Sequence, residues 1–148
     1  MRTLKHIERL LLDVPIEDAY EFISDPRNDI KWYRGVTGVR LVSEADDVYE
    51  QSLTMLGLRY RARIRVSDPR PPHRVVLSSV DSRIPFTATY IFESVAPGRT
   101  RFTMDATVTI TGVFLPLGPL FILLLRRRVG RNFIRLGQIL GAEESQTA

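Results

Sequence analysis

The chain has 148 residues, of which 44% are hydrophobic and 26% charged, and it contains no cysteine. This composition is typical of one folded globular domain, and the lack of cysteine excludes a disulfide framework, a thiolate metal site and a cysteine nucleophile. The formal net charge is +4 and nearly all basic residues are arginines, so nucleic acid and anionic lipid are both considered as partners. We expect one domain over residues 1–142 and a disordered tail over residues 143–148.

The chain begins with a pattern of strand, helix, helix and strand. Residues 4–12 have enough apolar character for a first strand, and the segment IEDAYEFI after Pro15 has the apolar spacing of a short amphipathic helix. The segment NDIKWYRGVTG then predicts a second short turn of helix, a loop and a strand near residues 38–44. Two short helices are thus expected between the first two strands.

Residues 48–111 alternate between polar and apolar side chains, as expected for an antiparallel sheet with one buried face. A tight turn at Gly57 and Leu58 predicts a first hairpin. The pairs predicted on its apolar face are Met55 with Tyr60, Leu53 with Ala62, Gln51 with Ile64, and Tyr49 with Val66. On the other face, Thr54 is predicted opposite Arg61 and Glu50 opposite Arg65.

A stripe of arginines follows the polar face of this hairpin, at Arg59, Arg61, Arg63 and Arg65. Because they alternate with apolar residues, these arginines are expected on the solvent face of one strand. Binding of single-stranded nucleic acid would also require aromatic side chains between them on the same face. We therefore interpret the stripe as a solvated face, and a nucleic-acid partner is not expected.

A second hairpin is predicted around a three-residue loop at Pro97, Gly98 and Arg99. Its inward pairs are Phe92 with Met104, Tyr90 with Ala106, Ala88 with Val108, and Phe86 with Ile110. Its outward side chains include Thr87, Thr89, Thr107 and Thr109. A further strand over residues 73–81 lies between the hairpins, and its alternation is too weak to assign a buried face.

Residues 117–140 predict a long terminal helix that packs one apolar face on the sheet. That face carries Ile122, Leu125, Val129, Phe133, Leu136 and Leu140. No apolar run reaches the length of about 20 residues needed to span a bilayer.

The start of this helix, in the segment VFLPLGPLFILLL, is apolar on nearly every side. The side chains left without an obvious partner are Leu120, Phe121, Leu123 and Leu124. Five arginines follow, at Arg126, Arg127, Arg128, Arg131 and Arg135. The loop between the early helices, a second subunit in a homodimer, or peripheral contact with an anionic membrane could each cover the segment 114–125.

The order of elements, together with VPIEDAYEFISDP, KWYRGV and LLLRRRVGRNFIRLGQIL, resembles the SRPBCC superfamily, which is also called START-like or helix-grip. Within it, the chain is similar to the branch of polyketide cyclases, dehydrases and lipid-transport proteins. The resemblance implies an α+β domain in which a curved antiparallel sheet of about seven strands wraps around the C-terminal helix. It also implies a small hydrophobic ligand, lipid-, isoprenoid- or polyketide-like, held between the sheet and the helix.

A strongly curved sheet and a single helix cannot touch along their whole length, so part of the inward surface is expected to line a cavity. The residues predicted to line it are Trp32, Tyr49, Gln51, Met55, Tyr60, Phe86, Tyr90, Met104, Val108, Phe121 and Leu125. Aromatic and methionine side chains of this kind equally suit a plain core.

The sequence identifies no catalytic residue, and the question whether the domain is an enzyme stays open at this point. A cyclase or dehydratase would need polar groups in the cavity to orient a polyketide and to move protons. The candidates are Tyr49, Gln51, Tyr60, Tyr90, Arg40 and Arg83. The functional hypotheses are therefore a carrier of a hydrophobic ligand, a cyclase or dehydratase that uses the same cavity, and an interaction module for a membrane or a second subunit.

Several other chemistries are not expected. The two histidines, His6 and His73, have no second ligand at metal-binding spacing, so no metal site is predicted and both are interpreted as surface or strand residues. Glycine-rich nucleotide loops and the G-x-S-x-G motif are absent from the sequence, so no cofactor is expected. The N-terminal residues lack a signal-peptide pattern, which predicts a cytoplasmic location.

Overall fold

The computed structural model describes residues 2–55 and 57–147, except for the side chains of Met55, Val113, Phe121 and residues 142–147. The strands are β1 Arg2–Leu12, β2 Val36–Ser43, β3 Val48–Met55, β4 Leu58–Arg70, β5 Arg74–Val80, β6 Phe86–Ala96, β7 Arg99–Ile110 and β8 Ala142–Thr147. The α-helices are α1 Ile16–Ile23, α2 Asp29–Trp32 and α3 Gly118–Leu140, and short 3-10 helices cover Pro26–Asn28 and Gly112–Leu117.

The described strands form one antiparallel sheet in the order β2-β3-β4-β5-β6-β7-β1-β8. The long helix α3 packs on one face of this sheet, and α1 and α2 connect β1 to β2. The helix-grip prediction, with about seven strands and two short helices after the first strand, is therefore confirmed. Residues 142–147 pair with β1 as an eighth strand. From the sequence, residues 143–148 are expected to form a disordered tail.

The helix ends follow from local sequence. Helix α1 begins directly after Pro15, carries Glu17 and Asp18 in its first turn, and has Ser24 as its C-terminal cap. The acidic residues interact favourably with the positive end of the helix dipole. Helix α3 has a proline in its first turn, where the missing N–H costs nothing, and stops at Gly141, whose φ of +80° suits glycine.

Both hairpins have the predicted faces but not the predicted partners. In the first, Tyr49 pairs with Ile64 rather than Val66, and Glu50 pairs with Arg63 rather than Arg65. The predicted register is wrong by two residues, because the turn that connects the strands lies one residue earlier in the chain than predicted and places Met55 opposite Leu58. An offset of two leaves every side chain on its predicted face, since side chains alternate with a period of two.

The second hairpin shows the same offset. Phe92 pairs with Phe102 rather than Met104, and the three-residue loop is wrong, because Ala96 and Arg99 pair across a two-residue turn. Gly98 in that turn has a φ of +71°, which a tight hairpin turn requires and glycine tolerates. The inward residues Tyr90, Phe92, Met104, Ala106 and Val108 are buried, as predicted.

The core lies between α3 and the sheet and consists of two groups of apolar residues. The larger group contains the stacked rings of Phe92, Phe102 and Phe133, with successive ring centroids 5.1 and 5.3 Å apart. The smaller group surrounds Leu4 and Val108 near the start of α3. The helix stripe predicted from sequence thus faces the sheet, with Phe133 and Leu136 fully buried.

Candidate ligand-binding site

The face of the sheet that looks towards α3 can be followed from strand to strand. Phe102 on β7 stacks on Phe133 of α3, so its side of β7 is the inward side. Directly paired residues share a face, and the pairing carries the inward side across β6, β5, β4 and β3. The inward residues of β5 are therefore Val75 and Leu77, which settles the face that the sequence could not assign.

The inward side of β4 becomes more exposed towards the β3–β4 turn. Ile64 is 6% exposed, Tyr60 is 40% exposed and Leu58 is 70% exposed, although all three lie on the same side of the strand. A depression of about 500 Å³ at the same end lies mainly on the outer face, because four of its lining residues, Ser52, Thr54, Arg59 and Arg61, are paired there. Thr37, Leu53 and Tyr60 also line it. On the inward face, the exposure of Tyr60 and Leu58 leaves apolar surface open to solvent at the hairpin.

The helix is fastened to the sheet edge beside this opening by the α2–β2 loop. The Arg128 side chain donates Nη2–H to the Arg34 carbonyl at 2.8 Å, and the Arg34 amide donates to Asn132 Oδ1 at 2.9 Å. The next residue, Gly35, accepts a hydrogen bond from the Thr54 amide of β3 at 2.8 Å. We call these five residues the clasp, because they connect α3 to β3.

Polar side chains meet inside the core near α2. The hydroxyls of Tyr33 and Tyr90 lie 3.3 Å apart, and the Tyr33 hydroxyl lies 3.8 Å from the Met104 sulfur. Burial raises the pKa of Tyr33 to about 12 and also raises the pKa of Tyr90 well above its usual value. Both phenols are therefore neutral at physiological pH and can orient a polar group of a ligand by hydrogen bonding.

Asp29 is the buried carboxyl of this group. Gln51 donates Nε2–H to Asp29 Oδ2 at 2.5 Å, and Asp29 Oδ1 is a buried atom without a hydrogen-bond partner among the described residues. Burial raises the pKa of Asp29 well above the usual range, and the hydrogen bond from Gln51 only partly opposes this effect. The raised pKa favours the protonated form of Asp29 in this water-poor interior, so Asp29 is a candidate general acid.

A second buried polar pair lies on the inward face of β1. His6 Nε2 and Glu8 Oε1 are 3.6 Å apart and both side chains are almost fully buried. Gly130 of α3 passes over this pair, where an added Cβ would lie 3.9 Å from Glu8 Oε1. His6 is thus a strand residue, as expected, but not a surface residue.

Sequence reasoning missed the roles of Asp29, Tyr33, Asn132 and the pair His6 and Glu8. The alternation of buried residues in β1 places His6 and Glu8 between Leu4 and Leu10 on one face, and this signal was available in the sequence. Asp29, Tyr33 and Asn132 gain their partners only through contacts between segments distant in the chain. Their surroundings could not be read from local spacing.

The structure distributes the predicted cavity residues over the inward face. Buried members are Trp32, Gln51, Tyr90, Met104 and Val108; half-buried members are Tyr49, Phe86 and Leu125; and Tyr60 is exposed at the hairpin. The side chains of Met55 and Phe121, also predicted to line the cavity, lie outside the described part of the structure. Val108, Phe86 and Leu125 meet near the start of α3, whereas Trp32, Tyr90 and Met104 pack in the larger core.

Two further polar candidates lie away from the interior. Arg40 is exposed on the outer face, where it is paired with Glu50 at 3.1 Å, so its prediction as a cavity residue is wrong. Arg83 is exposed and lines a separate cavity of about 430 Å³. Its other lining residues are Ser82, Pro85, Thr111, Gly112 and Phe114.

The arginine stripe lies on the outer face of β4, as predicted. Arg59, Arg61, Arg63 and Arg65 are all exposed. Glu50 lies close to two of them, at 4.0 Å from Arg61 and 3.5 Å from Arg63. In the described part of the chain, no three His, Asp or Glu side chains come together to hold a metal ion. Across residues 2–55 and 57–147, no helix is long and apolar enough to cross a membrane.

The antiparallel sheet and the long helix define a helix-grip domain. Its apolar core encloses the polar side chains around Tyr33 and Tyr90. The chain belongs to the polyketide cyclase / dehydrase and lipid transport family, whose model matches residues 8–140. A search of curated proteins gives no match to the chain.

Solved structures share the fold at low sequence identity. A START superfamily protein from Mycobacterium smegmatis is 12% identical, with a TM-score of 0.78 over 91% of this chain and 97% of that one. The aromatase/cyclase Zhui from a Streptomyces species is 15% identical, with a TM-score of 0.73 over 95% and 92%. The di-domain ARO/CYC BexL is 17% identical, with a TM-score of 0.76 over 96% of this chain and 51% of that one. These similarities establish the fold.

Proposed function

We propose that this domain binds a small hydrophobic molecule, lipid-, isoprenoid- or polyketide-like, between the inward face of the sheet and α3. The observation that carries the proposal is the gradient of exposure along β4, from buried Ile64 to the exposed Tyr60 and Leu58. Exposure of apolar surface to water is unfavourable. A ligand that covers this surface gains a binding free energy of about 25 cal/mol per Å² of apolar area removed from water.

The polar groups suit a ligand with an apolar body and one polar end. The body would lie against Leu53, Tyr60 and Ala62 near the hairpin. The polar end would reach the hydroxyls of Tyr33 and Tyr90. Ligand sites generally combine an apolar lining with few polar groups that fix orientation. Native mass spectrometry of the protein purified from its own host tests the proposal directly, because a retained molecule identifies the ligand class.

Replacement of Ala62 by Trp is expected to weaken binding of parinaric acid, a fluorescent fatty acid, by at least about ten-fold. The indole would occupy the inward side of β4 beside Tyr60, where the apolar body of the ligand is proposed to lie. Fluorescence titration gives the dissociation constant, and parinaric acid stands in for the unidentified ligand.

Arg61→Trp is the matched control, because Arg61 neighbours Ala62 on the same strand but points to the outer face. This variant should bind parinaric acid as the parent does. Equal affinities of Ala62→Trp and the parent would contradict the proposed site, and equal losses in both variants would point to a general disturbance of β4.

A second candidate function is a cyclase or dehydratase, and Asp29 is the observation that favours it. A buried carboxyl with a raised pKa can donate a proton to a ketone oxygen while an enol carbon of the same polyketide attacks that carbonyl. The enol oxygen loses its proton as the new carbon–carbon bond forms, and the Asp29 carboxylate left by the first transfer takes that proton up, which restores the acid. The tyrosine hydroxyls would hold the chain in position.

Asp29→Asn is expected to raise the thermal stability relative to the parent, and the difference should grow with pH. The folded-state pKa lies above the unfolded value, so Asp29 binds more protons when folded, and the parent loses stability as pH rises through the folded pKa. Asparagine cannot ionise but still accepts the hydrogen bond from Gln51. Melting temperatures between pH 4 and pH 8 measure the difference.

The same variant separates the two functions. A cyclase should lose turnover of a poly-β-ketone thioester while keeping parinaric acid affinity, the signature of a group used only in the transition state. A carrier should show no turnover in either form. A constant stability difference across the pH range would contradict the protonated state of Asp29.

A further inference from the structure

The chain from Ala106 to Ala142 contains no acidic residue but has five arginines, all of them on α3. Elsewhere the charges are mixed, as on the outer face, where Glu50 lies beside Arg40, Arg61 and Arg63. The 3-10 helix Gly112–Leu117 and the first half of α3 form one end of the molecule. Along this stretch of the sequence, no acidic residue compensates the positive charge of the arginines.

The same end exposes a group of leucines, which we call the apolar tip: Leu115, Leu117, Leu120, Leu123 and Leu124. Their exposed fractions run from 36% to 54%. On α3, the exposed Leu120, Leu123 and Leu124 differ from the inward stripe, in which Ile122 and Leu125 are half-buried and Val129 is buried. The loop between the early helices leaves these leucines exposed, which removes one of the covers considered from the sequence.

The leucines and the arginines share one side of the helix. Leu120, Leu124, Arg127 and Arg131 follow one another at steps of four, three and four, the spacing of a single helical face, and all four are exposed. Two more arginines lie at the tip. Arg2 Nη1 is 3.2 Å from the position of an added Cβ on Gly118, and Arg83 lines the 430 Å³ cavity beside Phe114.

We propose that the apolar tip docks on the surface of an anionic lipid bilayer. The leucines enter the interface between headgroups and acyl chains, and the arginines around them contact lipid phosphates. Bidentate geometry makes arginine well suited to phosphate. This inference does not depend on the proposed ligand, because it rests on the outer surface of α3 and not on the inward face of the sheet.

Charge favours a bilayer over the other occupants. A symmetric dimer through the tip would bring the arginines of two copies together, with no acidic residue in 106–142 to compensate them. Nucleic acid would pair with the arginines but leave the leucines in water. An anionic bilayer offers an apolar interface to the leucines and phosphates to the arginines.

Sedimentation with vesicles tests the proposal. The parent protein should bind vesicles of phosphatidylcholine with phosphatidylserine, should bind phosphatidylcholine alone at least about ten-fold more weakly, and should be released by salt. The double variant Leu120→Ser/Leu124→Ser should lose binding by at least about ten-fold. Arg127→Glu/Arg131→Glu should lose the preference for phosphatidylserine.

Matched controls exclude a general charge or solubility effect. Arg65→Glu/Arg70→Glu makes the same charge change on exposed residues of β4, and it should bind vesicles within about two-fold of the parent. Ile134→Ser removes an exposed apolar residue of α3 beyond the tip and should also bind normally. Circular dichroism confirms that each variant is folded.

The proposal is overturned if the folded parent fails to sediment with anionic vesicles, or if the β4 control loses as much binding as Arg127→Glu/Arg131→Glu. It is also overturned if light scattering shows a dimer that becomes monomeric in Leu120→Ser/Leu124→Ser, because the second copy is then the cover. Parinaric acid affinity is measured on all variants, so that failure of membrane binding and failure of ligand binding are distinguished.

Discussion

Replacement of Phe133 by Ala is expected to lower the free energy of unfolding by about 3–5 kcal/mol. Phe133 is completely buried, its ring stacks on Phe102 at 5.3 Å, and it meets Trp32 edge to face at 6.4 Å. Its ring contacts both the sheet and α2, so truncation leaves a cavity where three elements meet. Urea denaturation followed by the fluorescence of Trp32 measures the loss.

Ile134→Ala is the natural control, since Ile134 is the next residue of α3 and is 57% exposed. A surface truncation of this kind usually changes the unfolding free energy by no more than about 0.5 kcal/mol. If the two variants were equally stable, α3 would not pack on the sheet through Phe133, and the described core would be wrong.

The sequence predicts which face of each strand is buried more reliably than it predicts which residues are paired. Burial depends on alternation, which the four strands of the two hairpins carry in their own sequences. Pairing depends on the turn. In the first hairpin the turn lies one residue earlier than predicted, with Met55 opposite Leu58, and this moves the partners by two. In the second, a turn one residue shorter than predicted and a register shift between Ser94 and Ala96 together give the same offset. Tyr49 and Phe92 therefore kept their faces while they changed their partners.

The interior of the site was less accessible to sequence reasoning than the fold. Gln51 and Tyr90 are predicted as inward residues because each lies at a spacing of two from apolar residues on the same face of its hairpin. Their partners Asp29 and Tyr33 lie on α2 and its C-terminal cap, where polar residues normally face water. Only the approach of α2 to the curved sheet buries them, and this approach leaves no periodic signal.

The arginines show that identical side chains serve different surfaces. Those on the outer face of β4 lie near Glu50 and alternate with inward residues, so they form a solvated strand face. On α3, Arg127 and Arg131 continue a stripe of exposed leucines. Local composition is similar in both places, and the neighbours provided by the fold decide which set can contact a lipid surface.

Replacement of Gly35 by Ala is expected to destabilise the protein and to loosen the clasp between α3 and β3. Gly35 has a φ of +91°, and an added Cβ would lie 2.6 Å from the Thr54 carbonyl oxygen and against the Arg128 guanidinium. A residue with a side chain held in such a backbone conformation costs about 1–3 kcal/mol, and the contact with backbone adds to this cost. Denaturant unfolding measures the total loss.

Amide hydrogen-exchange rates distinguish a local loosening of the clasp from a uniform loss of stability. The Thr54 amide is bonded to the Gly35 carbonyl, so its exchange in Gly35→Ala should accelerate more than that of amides in the β6–β7 pair. Gly38→Ala on β2 is the matched control, because an added Cβ there meets nothing within 4 Å. It should leave both stability and Thr54 exchange close to the parent. Equal acceleration at Thr54 and in β6–β7 would mean that the clasp opens only when the whole domain unfolds.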